Sequence, residues 1–227
     1  MLTKPIPPWI TLGGMTLAGS AGCINAVGFL GGYHQAISHM TGTVTNFGVE
    51  LAQGDGRMAW HAGGTLGFFF MGCVLSGLII RQSALEIGRS YGVALACEFG
   101  LLIGACYFFR HGEAAGSFLA AMACGLQNAM ATSYSSAVIR TTHFTGIVTD
   151  LGIALGRVAR RESVDGRRLR LYLVLLLGFF AGGVFGTVSF VRIGYDTLLI
   201  PAAISGLTAI GYTLYKRHWF RLPFPHR

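Results

Sequence analysis

Apolar residues run along this chain in long blocks, and the blocks are sized for a bilayer. A helix needs about 20 predominantly apolar residues to cross the hydrocarbon core. Six regions meet or approach that length: 9–30, 60–80, 91–109, 116–137, 170–191 and 197–215. Two more polar stretches interrupt the series, His34 to Gly54 and Arg140 to Gly156. Neither is apolar enough for an ordinary span, and neither reads as a solvated loop.

Those two stretches repeat one another. HMTGTVTNFGVELA (His39–Ala52) and HFTGIVTDLGIALG (His143–Gly156) lie 104 residues apart and agree at seven of fourteen positions. The match is collinear: Gly22, Asn25 and Ala26 align upstream with Gly125, Asn128 and Ala129, and Phe69, Phe70, Gly72 and Val74 align downstream with Phe179, Phe180, Gly182 and Val184. The chain therefore reads as a tandem duplication within one transmembrane domain covering 1–227, with a first repeat at 9–109 and a second at 116–216. If each polar element dips in and returns, each repeat holds three crossings, and an odd number inserts the second repeat upside down. The expected fold is all-α: a polytopic membrane helix bundle of about six transmembrane helices plus two re-entrant or broken half-helices in an inverted internal repeat. About 14 residues of helix reach only ~21 Å, short of the ~30 Å core. Eight full crossings remain the alternative.

Composition agrees with a lipid environment. Hydrophobic residues make up 52% of the chain and charged residues 11%, less than half the roughly 25% of a soluble domain. Mean hydropathy is +0.57. The 34 glycines suit closely packed membrane helices, and Gly178, Gly182 and Gly186 form a small-residue face. That face meets either another helix of the chain, the preferred reading, or a second subunit in a homo-oligomer. The leading 25 uncharged residues, Trp9 to Tyr33, are too long for a signal-peptide core and are expected to stay as the first span.

The net charge of +8 is explained by the positive-inside rule and not by nucleic acid. With both termini cytoplasmic, fourteen cations fall inside, led by Arg157, Arg160, Arg161, Arg167, Arg168 and Arg170, and three fall outside, Arg57, Arg110 and Arg192. The five cysteines sit in apolar stretches with no metal-ligand or disulfide spacing. His34, His39, His61 and His143 show no H-E-x-x-H or H-x-x-x-H pattern, so neither a metal nor a cofactor is expected. No nucleophile elbow or phosphate loop suggests an enzyme.

The Thr-Gly pairs Thr41-Gly42 and Thr145-Gly146 look like helix starts, with threonine as cap and glycine as unwound backbone. Helices over 43–53 and 147–156 would then begin near mid-bilayer and approach head to head from opposite faces. Their free amides and dipoles suit a small anion or polar metabolite. The expected substrate-binding lining is Asn25, His39, Thr41, Gly42, Thr45, Asn46, Asn128, His143, Thr145, Gly146, Thr149 and Asp150. Asp150 counts partly against an anion. Glu98, in the middle of the third span, is a candidate proton-coupling group. Transport or conduction is the leading expectation; a structural or sensory partner in a complex, and an intramembrane enzyme, are the alternatives.

The paired H-x-T-G-x-V-T elements, the Gly-Asn-Ala signature and the length resemble the YoaK-like family of bacterial inner-membrane proteins of unknown function. That resemblance implies a multi-span protein of the bacterial inner membrane, surrounded by lipid, and says little about activity. A looser similarity at the level of fold links the paired half-helices to sulfate-permease-type transporters, which are about twice as long.

Overall fold

The computed structural model describes residues 8–31, 34–80, 89–134 and 142–219. Lys4, Arg81, Arg140, the tail cations Arg221 and Arg227, and the end of the fourth predicted span (135–137) lie outside the described residues. Helices run α1 (Pro8–Leu30), α2 (Met40–Gln53), α3 (Gly56–Ile79), α4 (Arg89–Arg110), α5 (Ala115–Tyr134), α6 (Phe144–Ala159), α7 (Gly166–Ile193) and α8 (Leu199–Trp219), with a 3₁₀ turn at Gly194–Leu198 before α8. No strand occurs among the described residues. Pro8 opens α1, where its missing N–H costs nothing, and Pro201 falls in the first turn of α8.

Segments long and apolar enough to cross a membrane are Thr11–Leu30, Gly56–Ile79, Ser90–Arg110 and the run Gly166–Leu214 through α7 and α8. The protein is thus a polytopic bundle of membrane character. The predicted span at 116–137 is a helix but falls outside that set. Its polar residues have a physical reason: α5 is the central helix, and Ser117, Ala121, Cys124, Leu126 and Gln127 are all buried against protein. The outside of the molecule is apolar instead, with Trp60, Phe70, Leu78, Phe180, Val191 and Leu207 each about two-thirds exposed or more. An outer surface of that kind is stable in hydrocarbon and not in water.

Two close crossings organise the bundle, and glycine makes both. Along α1 and α7, Gly178 meets the backbone of Met15, Gly182 meets the carbonyl of Gly19, Gly22 meets the carbonyl of Phe179, and Gly186 meets Cys23. Residue numbers rise together, so α1 and α7 run parallel. Along α3 and α5, Gly72 meets the carbonyl of Met122 and Gly125 meets the carbonyl of Phe69, and the helices again run parallel, since Gly64 lies on the Phe118 ring while Cys73 reaches the Gly125 carbonyl. These are counterpart contacts: Gly22 and Gly125 each sit on a phenylalanine carbonyl, and Gly72 and Gly182 each sit on the helix opposite. The first helix of one half therefore packs on the third helix of the other. Lipid offers helices no hydrophobic reason to associate, so such backbone contact supplies the attraction through dispersion.

Helices α4 and α8 complete the bundle. They run antiparallel, with Gly206 against Phe99 and Gly92 near Tyr212. A short turn joins α4 to α5, and Gly116 packs on the Phe109 ring. At that end Phe109 stacks on Tyr195 at 4.9 Å, and Arg110 forms an ion pair with Asp196.

Helices α3 and α7 share a start that sequence comparison at a single offset passes over. Asp55-Gly56-Arg57 and Asp165-Gly166-Arg167 are identical tripeptides. Asp55 Oδ1 accepts from the amides of Arg57 (3.1 Å) and Met58 (3.0 Å), and Asp165 Oδ1 accepts from those of Arg167 (3.1 Å) and Arg168 (3.3 Å). Each aspartate thereby fills two of the amides a helix start leaves unpaired. Asp55→Ala and Asp165→Ala should each cost about 1 kcal/mol, read as a lower thermal midpoint in detergent. Unchanged midpoints in both variants would show the caps to be idle.

Candidate functional site

The polar elements of the sequence form α2 and α6, and both helices start inside the bundle. Asn25 draws the chain back after α1. Its Nδ2 donates to Ser38 Oγ (2.9 Å) and its Oδ1 accepts from the Ser38 amide (2.7 Å). Ile37 fills the space over Gly28. The segment 34–39 therefore returns alongside α1 to the level of residue 25, five residues before that helix ends. From there α2 runs back outward to Gly54, whose left-handed φ of 78° closes the helix, and the chain turns into α3. Phe47 lies against Gly63, which makes α2 and α3 an antiparallel hairpin. Fourteen residues of α2 cover about 21 Å, little more than half the length of α3.

Helix α6 repeats the arrangement on α7. Its inward stripe is Phe144, Ile147 and Leu151, packed with Leu171, Tyr172, Leu175 and Phe179. Phe144, the first residue of α6, lies 4.2 Å from Phe179 between ring centroids. Phe179 also gives the carbonyl that meets Gly22. Helix α6 therefore begins level with the α1–α7 crossing, about 20 Å along α7.

Both half-helices start without a side-chain cap. His39 and His143 hold the N-cap positions and neither makes a capping bond. This corrects the expectation that threonine caps the helices and that they begin at 43 and 147. Helix α2 starts at Met40 and α6 at Phe144, so each Thr-Gly pair lies within the first turn. Glycine there serves another purpose: a Cβ on Gly42 would lie 2.5 Å from the His39 ring, and one on Gly146 would lie 2.5 Å from the His143 ring. Each imidazole folds over the first turn of its own helix, and the glycine makes room for it. The first amides of each half-helix have no partner within the helix. The contrast with Asp55 and Asp165 is internal to one molecule, since the starts near the charged loops are capped and those at mid-depth are not.

One stripe of each half-helix is small, polar and exposed: Thr41, Thr45 and Gly48 on α2, and Thr145, Thr149, Gly152 and Gly156 on α6. Gly48, Gly152 and Gly156 have no atom within 4 Å of a would-be Cβ. Thr45 Oγ1 donates to the Thr41 carbonyl (3.1 Å) and Thr149 Oγ1 to the Thr145 carbonyl (2.9 Å). Those two threonines therefore satisfy themselves within their helices. Thr41, Asn46 and Thr145 are exposed, and Gly42 and Gly146 partly so. The two helices do not touch: among the described residues α2 packs on α3 alone and α6 on α7 alone. The expected head-to-head meeting is not a direct contact, because α2 packs on α3 and α6 on α7.

The remaining candidates separate by role. Asn25 anchors the returning segment. Asn128 is half-buried, its carbonyl accepts from Thr132 (2.7 Å), and its Oδ1 is enclosed without a hydrogen-bond partner. Asp150 is not free: its Oδ2 accepts from Tyr172 OH (2.8 Å) and from Arg168 Nη2 (3.4 Å), while Arg168 Nε donates to Tyr172 OH (2.7 Å). Arg168 faces it as a counter-charge, with both side chains about half exposed. In the first half Asn46, Met58 and Ala62 occupy the matching positions and build no such group. Glu98 is fully buried. Buried His61 bonds Gln35 Oε1 at 3.3 Å and ties the returning segment to α3. Among the described residues no three His, Cys, Asp or Glu side chains converge as a metal site would need.

Sequence reasoning passed over Gln35 and Tyr172, and it gave Ser38 and Arg168 no part in shaping the site. Ser38 and Gln35 carry a readable signal, since a polar run flanked by spans needs partners at membrane depth. Arg168 was counted only as a cytoplasmic cation.

No curated protein and no solved structure matches the chain. The model of the family described as "Protein of unknown function (DUF1275)" matches residues 13–211. That region takes in the two crossings, both half-helices and the first part of α8, and the chain belongs to the DUF1275 family.

Proposed function

We propose that this protein is a small transporter or channel of the bacterial inner membrane, built as an inverted duplication with both termini in the cytoplasm. Its solute, a small anion or polar metabolite, binds at the starts of α2 and α6. One observation carries the reading: two counterpart helices begin at mid-depth with their first amides uncapped, while the same chain caps α3 and α7 with aspartate. Unpaired amides in a low-dielectric interior are costly unless something binds them, and helix N-termini favour negative charge. The exposed Thr-Gly stripes support a passage beside these starts. Asp150, with Arg168 as its counter-charge, leaves the site open to an anion. The paired H-x-T-G-x-V-T elements support the narrower likeness to the YoaK-like proteins.

The test is flux. Purified protein in liposomes should carry at least one solute from a panel of inorganic and small organic anions and polar metabolites. Converting Thr41 and Thr145 to valine should reduce that flux at least tenfold while leaving the thermal midpoint within a few degrees. A broad panel yielding neither binding nor flux would favour a structural or sensory partner instead.

A further inference from the structure

Glu98 lies midway along α4, fully enclosed, and among the described residues neither carboxyl oxygen holds a hydrogen bond of good geometry, although the Ser205 hydroxyl stands beside it. Cys124 of α5 and Ser205 of α8 flank it; both are buried, and Ser205 Oγ likewise holds no hydrogen bond of good geometry. Among the described residues no charged group faces it. On α3, the Cys73 thiol is turned to the Gly125 carbonyl (3.4 Å). In the 3₁₀ turn, Asp196 is paired with Arg110 at the far end of α4. Tyr91 and Tyr212 sit near the other end, two turns away along α4.

The two halves differ beside it. Helix α4 closes on α5, with Leu119 against Gly104 and Phe109 against Gly116. Its counterpart α8 stands off α1. Between them a cavity of about 300 Å³ is lined by Ser20, Cys23, Phe185, Pro201 and Ile204 among others. One half of the molecule is shut where the other is open.

We propose that Glu98 is a proton-exchange site, gated by movement of the paired α4 and α8 from α5 towards α1. In the closed arrangement a carboxylate would be an uncompensated charge, whereas the protonated acid is neutral and has an O–H to offer Ser205. Swinging α4 and α8 together fills the cavity beside α1 and parts α4 from Cys124 on α5. Water then reaches the carboxyl, which releases its proton to that water as carboxylate, and it takes up another proton before α4 closes. This deepens the transport reading and rests on it: solute movement is coupled to the proton.

Two measurements on protein in liposomes test the proposal. Infrared difference spectra between acid and alkaline buffer should show a protonated-carboxyl band that disappears on raising pH and is missing from Glu98→Gln. A disulfide between Gly104→Cys and Leu119→Cys, in a background free of other cysteines, should lock α4 to α5 and abolish that exchange. In flux assays with the anion panel, a gradient of one pH unit should give about tenfold accumulation for one proton per solute. Glu98→Gln should retain solute binding and lose the response to the gradient. A wild-type band identical to that of Glu98→Gln, unhindered exchange in the locked form, or an intact gradient response in Glu98→Gln would each overturn the proposal. Absence of flux for the whole panel would remove the transport reading, and the infrared result would then decide the proton site alone.

Discussion

Gly125→Ala and Gly182→Ala are expected to unfold most of the protein, although each adds a single methyl group. The added carbon at 182 would enter the backbone of Gly19, and the one at 125 the backbone of Phe69. No flexible side chain stands there to move aside, so two helices must separate along the contact that holds the halves together. Overpacking of a rigid site costs about 3 kcal/mol and occasionally more, a large part of a typical total of ~5–15 kcal/mol. Size-exclusion profiles in mild detergent should show aggregate in place of a single peak, and surviving protein should melt far below the parent. Gly67→Ala and Gly100→Ala are the controls. Both positions lie within helices and have open space at the Cβ, so alanine should gain about 0.5–1 kcal/mol by removing glycine's conformational freedom. Opposite signs for the same substitution would locate the stability in the crossings. Equal effects at all four positions would mean that helix propensity, and not close approach, governs these glycines.

The glycines also mark where sequence comparison succeeds and where it stops. Gly22 with Gly125, Phe69 with Phe179 and Gly72 with Gly182 stand out as a collinear match, but a linear comparison has no means of pairing Gly22 with Phe179. The structure joins them, because the duplicated helices exchange partners across the halves. The helix blocks were legible from hydropathy to within a few residues at most ends. Helix α5 was legible as apolar length, but its enclosure by other helices was not, since burial among helices and burial in lipid draw on similar residues. The start of α3 was not paired with that of α7 although Asp55 and Asp165 share the offset of 110 with Phe69 and Phe179, because a short charged tripeptide reads as loop beside the apolar blocks. Glu98 was legible for a simple reason: a carboxyl amid Ala94–Gly104 has no surface to reach. Asp150 was read as a lone lining group, because nothing in the sequence places Arg168 and Tyr172, eighteen and twenty-two residues onward, on the facing side of a hairpin.

The uncapped helix starts give the other large effect. His39→Asp and His143→Asp would place at α2 and α6 the cap that the chain already uses at Asp55 and Asp165. Aspartate is shorter than histidine and leaves Gly42 and Gly146 uncrowded. Its carboxylate would accept from the free amides and oppose the positive end of the helix dipole, which together favour folding by about 1 kcal/mol per helix. The same carboxylate would take the donors the solute needs and set a fixed negative charge beside them. Anion binding should then fall at least a hundredfold, or about 2.7 kcal/mol. The sign of the stability change is informative in itself. In a wet passage the new caps raise the thermal midpoint, whereas a carboxylate facing hydrocarbon at mid-depth costs roughly 3 kcal/mol and lowers it. A more stable protein that no longer binds its solute would mean that these starts are kept bare for a guest, at the expense of stability. A variant that melts higher and binds as tightly as before would remove the helix starts from the binding site. One that melts lower would put them against lipid, where no solute passes.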